Sequence, residues 1–226
     1  MRKLPALLTT LAVAVLALTA CRGAGTTTVP EAEKPSLEKA MARRTVGNDP
    51  GNIGEGTPLT PKEGHALAAF AAGCFWGVED TFRQVPGVVA TAVGYTGGHT
   101  DNPTYETVCS HSTGHAEAVL IEFDPKVVTY ETLVNVFMKN HDPTTKNRQG
   151  PDVGDQYRSA VFTFSPAQEA AARAAKEREE GVRKKPVVTV MSPLGRFWKA
   201  ETYHQQYDEK TGTHSCPLPR GLTPEG

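Results

Sequence analysis

The sequence predicts an α+β domain: a two-layer arrangement of a mixed sheet with flanking helices and long functional loops. Runs of β-type residues alternate with amphipathic segments, and long polar loops separate them. The length of 226 residues suits one domain with extensions. With 24 Lys and Arg against 25 Asp and Glu, the charge is balanced, and nothing indicates a surface for nucleic acid.

The elements follow in order from residue 66. The apolar run 66–72 is typical of a buried strand, and the spacing of Val78, Phe82 and Val85 predicts a helix over 78–85. In the strand candidate 115–123 neither alternating face is wholly polar, so we expect it to be buried on both sides. Other strands are predicted at 88–93, 158–164 and 186–191, helices at 130–140 and 166–180, and long loops at 96–105 and 142–156.

The first 62 residues have the composition of an export signal and a tether. A basic start and an apolar stretch over 7–20 lead into Leu18-Thr19-Ala20-Cys21, which resembles the lipobox of bacterial lipoproteins. We therefore expect residues 1–20 to be a signal peptide, Cys21 to be lipidated, and 21–62 to be a flexible tether to the membrane of the cell envelope. The functional domain would then be 63–226, with a mobile C-terminal tail. An ordinary signal peptide with a chance cysteine is the alternative.

Cys74 has the most informative neighbours of any residue in the chain. It lies between a strand candidate and a helix candidate, and a helix N-terminus lowers the pKa of a thiol. Phe75 and Trp76 follow at once and predict an apolar wall beside the sulfur, suited to a substrate with a small apolar group at its reactive atom. On this local pattern alone, a buried inert cysteine is an equally good interpretation.

Six unusual segments extend this pattern along the chain. They are 73–77, 94–98, 102–105, 114–117, 140–143 and 147–159. In their order and spacing they resemble the A-type peptide methionine sulfoxide reductases, over about residues 68–216. The resemblance implies the ferredoxin-like core of that family and thiol-dependent reduction of methionine S-sulfoxide, free or in proteins, without a metal or another cofactor.

The resemblance also implies roles for individual residues. Cys74 matches the nucleophile that becomes a sulfenic acid, and Phe75 and Trp76 match the pocket for the substrate methyl group. Glu117 matches the acid at the sulfoxide oxygen, and desolvation is expected to raise its pKa. Tyr105 and Tyr157 match phenols that bind the same oxygen, and Asp152 matches a carboxylate of the hydrogen-bond network. From the residues alone, other interpretations stay open: the glutamate could be exposed on an edge strand, the tyrosines could be packing residues, and the aspartate could belong to a loop turn.

The two remaining cysteines, Cys216 and Cys109, are expected to have different roles. Cys216 matches the family's first recycling cysteine, which would form a disulfide with Cys74 that a thioredoxin-like electron donor reduces. Gly212 is the only nearby glycine before it, where the family commonly has several, and no later cysteine could extend a relay. Cys109 matches a position without assigned chemistry and is expected to be inert. Together with His111 and His115 it falls short of a closed metal site.

Two other classes of function stay open at this point. A thiol peroxidase also uses a reactive thiol and a sulfenic acid, although peroxide has no methyl group that would need the wall of Phe75 and Trp76. A catalytically silent lipoprotein could bind Met-containing partners through the same pocket. Turnover of a methyl sulfoxide and the effect of Cys74→Ser would separate these classes from a reductase.

Overall fold

A six-stranded mixed sheet organises the part of the chain that the structure, a computed structural model, describes, residues 60–213. Its strands are β1 Ala66–Ala72, β2 Val88–Thr96, β3 Ala116–Phe123, β6 Ser159–Thr163, β7 Val190–Pro193 and β8 Trp198–Lys199. A separate hairpin consists of β4 Arg148–Gln149 and β5 Asp152–Val153. The helices are α1 Phe75–Arg83, α2 Tyr105–Cys109, α3 Tyr130–Lys139, α4 Pro166–Arg183 and α5 Tyr207–Thr211, with a 3₁₀ turn at Asp155–Tyr157.

The strands have the spatial order β7-β6-β1-β3-β2-β8. All neighbours are antiparallel except β6 and β7, which are parallel. The four inner strands, with α1 between β1 and β2 and α3 between β3 and β6, form a βαββαβ unit in the order β6-β1-β3-β2. This arrangement confirms the predicted α+β class, the mixed sheet and the ferredoxin-like core.

The sheet is buried on both faces. On the helix face, the ring of Phe70 stacks on those of Phe82 in α1 and Phe137 in α3, with centroids 5.1 Å apart in each pair. On the opposite face, small side chains of β1, β2 and β3 pack against Phe197 and Leu194 from the segment that joins β7 to β8. All eight residues of β3 are buried, which confirms the expectation of burial on both sides.

Two predicted boundaries near the first helix were wrong. Helix α1 begins at Phe75 and not at residue 78, because the residues directly after Cys74 already form its first turn. Strand β2 continues through Gly94 to Thr96, since Gly94 and Tyr95 pair with β8 on one side and with β3 on the other. Both corrections extend regular structure around Phe75, whose ring lies 5.9 Å from that of Tyr95.

Two boundaries in the second half also differ from the prediction. Helix α4 runs through Gly181 to Arg183, and its C-cap residue Lys184, with a φ of 53°, provides the left-handed end that glycine was expected to provide. The strand predicted from 186 begins at Val190, because the backbone N–H groups of Val187 and Val188 bond to Glu180 and Pro143 instead of to β6. The short elements α2, α5, β8 and the β4–β5 hairpin were not predicted.

The expectations for Cys21, for Cys216, for the signal peptide over 1–20 and for nearly all of the tether over 21–62 lie outside the described residues. Within 60–213, no helix combines the length and the apolar composition that crossing a lipid bilayer requires.

Candidate active site

Cys74 lies at the junction of β1 and α1, where it is the N-cap residue of the helix and is half-buried. The turn into the helix depends on Gly73, whose φ of +99° is a left-handed conformation. A Cβ atom at this position would lie 2.7 Å from Cβ and Cγ of Gln149 in the β4–β5 hairpin. The junction therefore fixes the cysteine at the positive end of the α1 dipole, with the hairpin packed against it.

Glu117 lies on β3 with its side chain on the helix face of the sheet, and only 2% of the residue is exposed. Its Oε2 accepts a hydrogen bond of 3.1 Å from the backbone N–H of Phe75. That N–H belongs to the first turn of α1, where backbone donors have no partner inside the helix. A buried carboxyl group is thereby held at the same helical turn that Cys74 caps.

Phe75 and Trp76, which are predicted to form an apolar wall beside Cys74, are held by the C-terminal segment 201–213. Phe75 is buried, and its ring lies 5.0 Å from that of His204. Trp76 donates from Nε1 to Nδ1 of His204 at 3.0 Å and stacks on Tyr207, with ring centroids 3.9 Å apart and an interplanar angle of 11°. Both rings of the wall are thus held by side chains that lie far away in the sequence.

His204 acts on this wall as a neutral ring. Because its Nδ1 accepts the indole N–H, its proton is on Nε2, which lies 3.7 Å from Oε2 of Glu201. Burial lowers the pKa of His204 to about 4, and the nearby charge of Glu201 offsets this only in part. The ring therefore remains a hydrogen-bond acceptor for Trp76 at neutral pH.

Two phenols lie near the carboxyl group of Glu117. Tyr105 begins α2, and its ring lies 4.8 Å from that of His204; Tyr157 ends the 3₁₀ turn. Burial raises the pKa of both hydroxyls, and the nearby ionisable side chains of Cys109 and Glu117 raise each further. Both phenols therefore stay protonated and can donate hydrogen bonds to an oxygen atom in the site.

Asp152 lies in the hairpin opposite Gln149, the residue that contacts Gly73. Burial raises the pKa of this half-buried carboxyl, and its charge in turn raises the pKa of Tyr157, as does that of Cys74. The structure thus brings Cys74, Asp152 and Tyr157 into one electrostatic neighbourhood. Of the predicted catalytic and substrate-binding residues, only Cys216 lies outside the described part of the chain, as does the predicted lipidation site Cys21.

Glu201 is a second carboxylate that sequence analysis missed. It accepts hydrogen bonds from the hydroxyl of Tyr95 at 2.9 Å and from the backbone N–H of Tyr105 at 2.8 Å. Burial alone would raise its pKa, but these hydrogen-bond donors outweigh burial and hold the pKa below the ordinary value. Glu201 thereby fastens the start of α2 to the C-terminal segment. Glutamate is usually exposed and Glu201 lies in an irregular stretch, so nothing in the sequence indicated this role.

Two other side chains near the site, Cys109 and His115, are potentially reactive, but one is poorly ionised and the other is already hydrogen-bonded. Cys109, at the end of α2, is half-buried, and burial raises the pKa of its thiol, which disfavours the reactive thiolate. His115 accepts the N–H of Gly98 at Nδ1 and donates from Nε2 to the carbonyl of Thr100. Across residues 60–213, no group of three acidic, His or Cys side chains is arranged to hold a metal ion.

A thiol at a helix N-terminus, a buried carboxyl group at the same turn, two protonated phenols and an aromatic wall define a cysteine-dependent oxidoreductase on a ferredoxin-like sheet. The family model described as peptide methionine sulfoxide reductase matches residues 66–223. The chain belongs to this family.

Individual relatives agree with this assignment. The peptide methionine sulfoxide reductase MsrA of Methanosarcina acetivorans is 58% identical over 177 residues, which cover 77% of this chain and 92% of the relative. The crystal structure of reduced Mxr1 from Saccharomyces cerevisiae matches with a TM-score of 0.68 and 35% identity, covering 74% of this chain and 97% of Mxr1. A structure of Mxr1 in complex with Trx2 matches at 0.50 and 25% identity, covering 74% and 96%.

Proposed function

We propose that this chain reduces the S epimer of methionine sulfoxide, free and within proteins, with Cys74 as the nucleophile. Reduction of methionine sulfoxide is the activity of the family to which the chain belongs. The observation that carries the residue assignment is the hydrogen bond from the N–H of Phe75 to Glu117, because it holds a buried acid beside the nucleophile.

In the first step, the thiolate of Cys74 attacks the sulfoxide sulfur, and Glu117 protonates the sulfoxide oxygen. The oxygen then passes to the sulfur of Cys74: a new S–O bond forms there, the substrate S–O bond and the transient S–S bond to Cys74 break, methionine leaves, and Cys74 is a sulfenic acid. The substrate sulfur gains two electrons and the cysteine sulfur loses two. The helix N-terminus stabilises the thiolate before attack.

The remaining site residues bind the two ends of the sulfoxide group. Tyr105 and Tyr157 donate hydrogen bonds to the oxygen as negative charge develops on it, and Asp152 orients this network. Phe75 and Trp76 contact the methyl group. Hydrogen peroxide offers neither a methyl group for this wall nor a sulfur centre, so the aromatic wall favours a sulfoxide over a peroxide as substrate.

The second half of the cycle restores the thiol. Cys216 attacks the sulfenic acid of Cys74, water leaves, and a disulfide forms that a thioredoxin-like donor reduces. The complex of Mxr1 with Trx2 supports a donor of this class. The raised pKa of Cys109 supports Cys216 as the second thiol, because a protonated thiol attacks slowly.

The chain is proposed to act in the bacterial cell envelope, tethered through a lipid on Cys21. The support is the sequence over 1–21 alone. Expression of the full chain and of Cys21→Ala in a bacterial host tests it. The unaltered chain should fractionate with membranes and incorporate labelled palmitate, whereas Cys21→Ala should do neither; membrane-free behaviour of both would reject the anchor.

The activity itself is tested by single-turnover reduction of S- and R-methionine sulfoxide, with thiols counted before and after. We expect conversion of the S epimer with loss of about two thiols per chain, no conversion in Cys74→Ser, and loss of about one thiol in Cys216→Ser. Turnover of hydrogen peroxide but of neither sulfoxide would support a thiol peroxidase. Conversion without a disulfide that depends on Cys216 would leave a one-cysteine reductase.

A further inference from the structure

The plane of the Trp76 ring is fixed by a residue that does not belong to the aromatic wall. His204 accepts the indole N–H, which holds one edge of the ring. Tyr207 stacks on the indole, with ring centroids 3.9 Å apart and an interplanar angle of 11°. A ring stacked this closely covers one face of Trp76, so only the other face and the edges remain for a substrate. The position of Tyr207 therefore sets how Trp76 is presented to the site.

Tyr207 begins helix α5, and this short helix does not fix its own start. Five residues are too few for a helix that is stable without tertiary contacts. The residue before Tyr207 is the N-cap Gln206, whose side chain caps no backbone N–H of the helix. Its φ of 51° is a left-handed conformation that is unfavourable for residues other than glycine and persists only where the surroundings hold it. Contacts from elsewhere in the fold must therefore hold the start of α5.

Glu79 of helix α1 supplies these contacts. It lies three residues after Trp76, on the same face of α1, and is only 1% exposed. Its Oε2 accepts the backbone N–H of Gln206 at 2.7 Å, and its Oε1 accepts the side-chain amide of Gln206 at 2.9 Å. Thr91 of β2 donates its hydroxyl to the same Oε1 at 2.8 Å. Both oxygens of one buried carboxyl group thus bind the residue directly before Tyr207.

The surroundings of Glu79 leave no substitute for these oxygens. Each of the three partners is a donor, and Arg83, four residues further along α1, adds a positive charge. Burial raises the pKa of Glu79 above its ordinary value in spite of them. Because so little water reaches the carboxyl group, the loss of one acceptor oxygen leaves a buried donor unpaired.

We propose that Glu79 is a positioning residue for the substrate pocket: by fixing Gln206, it holds Tyr207 on Trp76 and sets the plane of the indole that meets the methyl group of the sulfoxide. The proposal rests on the proposed function, in which Trp76 contacts that methyl group. Glu79 binds Gln206 and Thr91 and takes no part in the transfers of protons and electrons at Cys74. Its loss should therefore weaken substrate binding and leave the chemical step unchanged.

The size of the effect follows from the strength of the stack. An aromatic pair contributes roughly two- to tenfold to an equilibrium constant beyond its buried area. When the start of α5 is loosened, only a fraction of the molecules keeps Trp76 in place, and the apparent affinity for the substrate falls by that fraction. We expect a loss of about fivefold, within the range that one aromatic pair allows.

The test measures methionine formation by reduced protein in a single turnover, without a reductant, over a range of S-methionine sulfoxide concentrations. Glu79→Gln keeps the shape of the side chain but replaces one acceptor oxygen by an NH₂ group. It should raise the half-saturating concentration about fivefold and keep the limiting rate within about twofold. Glu122→Gln is the matched control, because Glu122 is 5% exposed and also accepts a backbone N–H, that of Lys62. It should change both constants by less than about twofold.

A double-mutant cycle separates positioning from general damage. Tyr207→Leu removes the stacked ring and should raise the half-saturating concentration at least as much as Glu79→Gln does. If Glu79 acts through Tyr207, the double variant should be no worse than Tyr207→Leu alone, whereas independent effects would multiply. An unchanged half-saturating concentration in Glu79→Gln would overturn the proposal. So would a limiting rate that falls as much as the affinity, or multiplied effects in the double variant.

Quenching of Trp76 fluorescence tests the same contact without any turnover. The chain has two tryptophans, so Trp198→Phe leaves Trp76 as the only one. In this background, Glu79→Gln should make acrylamide quenching stronger, by up to about twofold, because the second face of the indole is then uncovered. Equal quenching with and without Glu79→Gln would contradict the proposal. Failure of the proposed function looks different: the unaltered chain would then reduce neither epimer, while the difference in quenching would persist.

Discussion

The two halves of the site are built in different ways. The nucleophile region, from Gly73 to Trp76, is positioned by backbone: a strand, a left-handed glycine and the first turn of a helix. The C-terminal segment 201–213 has only one short helix and is positioned by side-chain hydrogen bonds and ring stacking. Backbone-built geometry follows local sequence patterns, whereas geometry built from distant polar contacts does not. We therefore expect the first region to carry the chemistry and the second to support the rings of Phe75 and Trp76.

The largest expected effect is in the nucleophile region. Cys74→Ser should lower sulfoxide reduction by more than about a thousandfold, because the reacting atom itself is replaced. Reduction of S-methionine sulfoxide measures it. Cys109→Ser is the matched control, since Cys109 is a second half-buried cysteine near the phenols, and it should stay within about twofold. Equal losses in both variants would remove the distinction between the two thiols.

Glu117→Gln should lower kcat/KM by about a hundredfold, because the amide keeps the shape of the side chain but cannot supply a proton. The control is Glu122→Gln, a change of another buried glutamate on the same strand. Glu122 accepts hydrogen bonds from Lys62 and is paired with His65, away from Cys74. Glu122→Gln should therefore lower the free energy of unfolding more than it lowers kcat/KM. A near-normal rate in Glu117→Gln would reject the glutamate as the acid.

Gly73→Ala tests whether backbone builds the first region. The left-handed φ and the contact with Gln149 together should lower the free energy of unfolding by about 2–3 kcal/mol. Gly64→Ala is matched in conformation, with a φ of +81°, but nothing lies within 4 Å of its added Cβ. It should cost only about 1 kcal/mol in the same denaturant titration. Equal costs would show that the contact with Gln149 contributes nothing.

Acid should lower the free energy of unfolding through two buried histidines, His141 and His204. Burial lowers the pKa of His141, at the end of α3, and of His204, in the C-terminal segment, to about 4 each. An unfolded histidine has a pKa of about 6.5, so the unfolded chain binds more protons between these values, and stability falls as the pH falls through that window. Each should contribute a loss of about 2 kcal/mol between about pH 7.5 and about pH 5.

Denaturant titrations at these two pH values measure the loss. His141→Gln should remove about half of the combined dependence due to His141 and His204. A His141→Gln protein with the full pH dependence would contradict the assignment of a buried neutral histidine.

The smallest expected effect tests the second region directly. His204→Phe keeps a ring in place but removes the acceptor for Trp76, and should raise KM about tenfold with little change in kcat. Steady-state kinetics with S-methionine sulfoxide measures both constants. His204→Gln, which offers a new acceptor, should recover part of the loss. A fall in kcat with unchanged KM would instead place His204 in the chemistry.

The nucleophile region could be predicted from the sequence, whereas the contacts of the C-terminal segment could not. The strand at 66–72, the doubly buried strand and the position of Cys74 were predictable, because period-two and period-3.6 patterns report on local backbone. The pocket residues of the family motif were matched by resemblance. His204, Glu201 and Glu79 were missed, because a buried histidine or carboxylate is distinguished only by partners 96–128 residues away. No local pattern contains that information.

The most direct test of the account is to trap the intermediate on Cys74. The Cys216→Ser protein is mixed with one equivalent of S-methionine sulfoxide in the presence of dimedone, which labels sulfenic acids, and the adduct is located by peptide mass spectrometry. The account predicts one equivalent of methionine and a single dimedone adduct on Cys74. Methionine formed with an unlabelled Cys74, or with the adduct on Cys109, would contradict it.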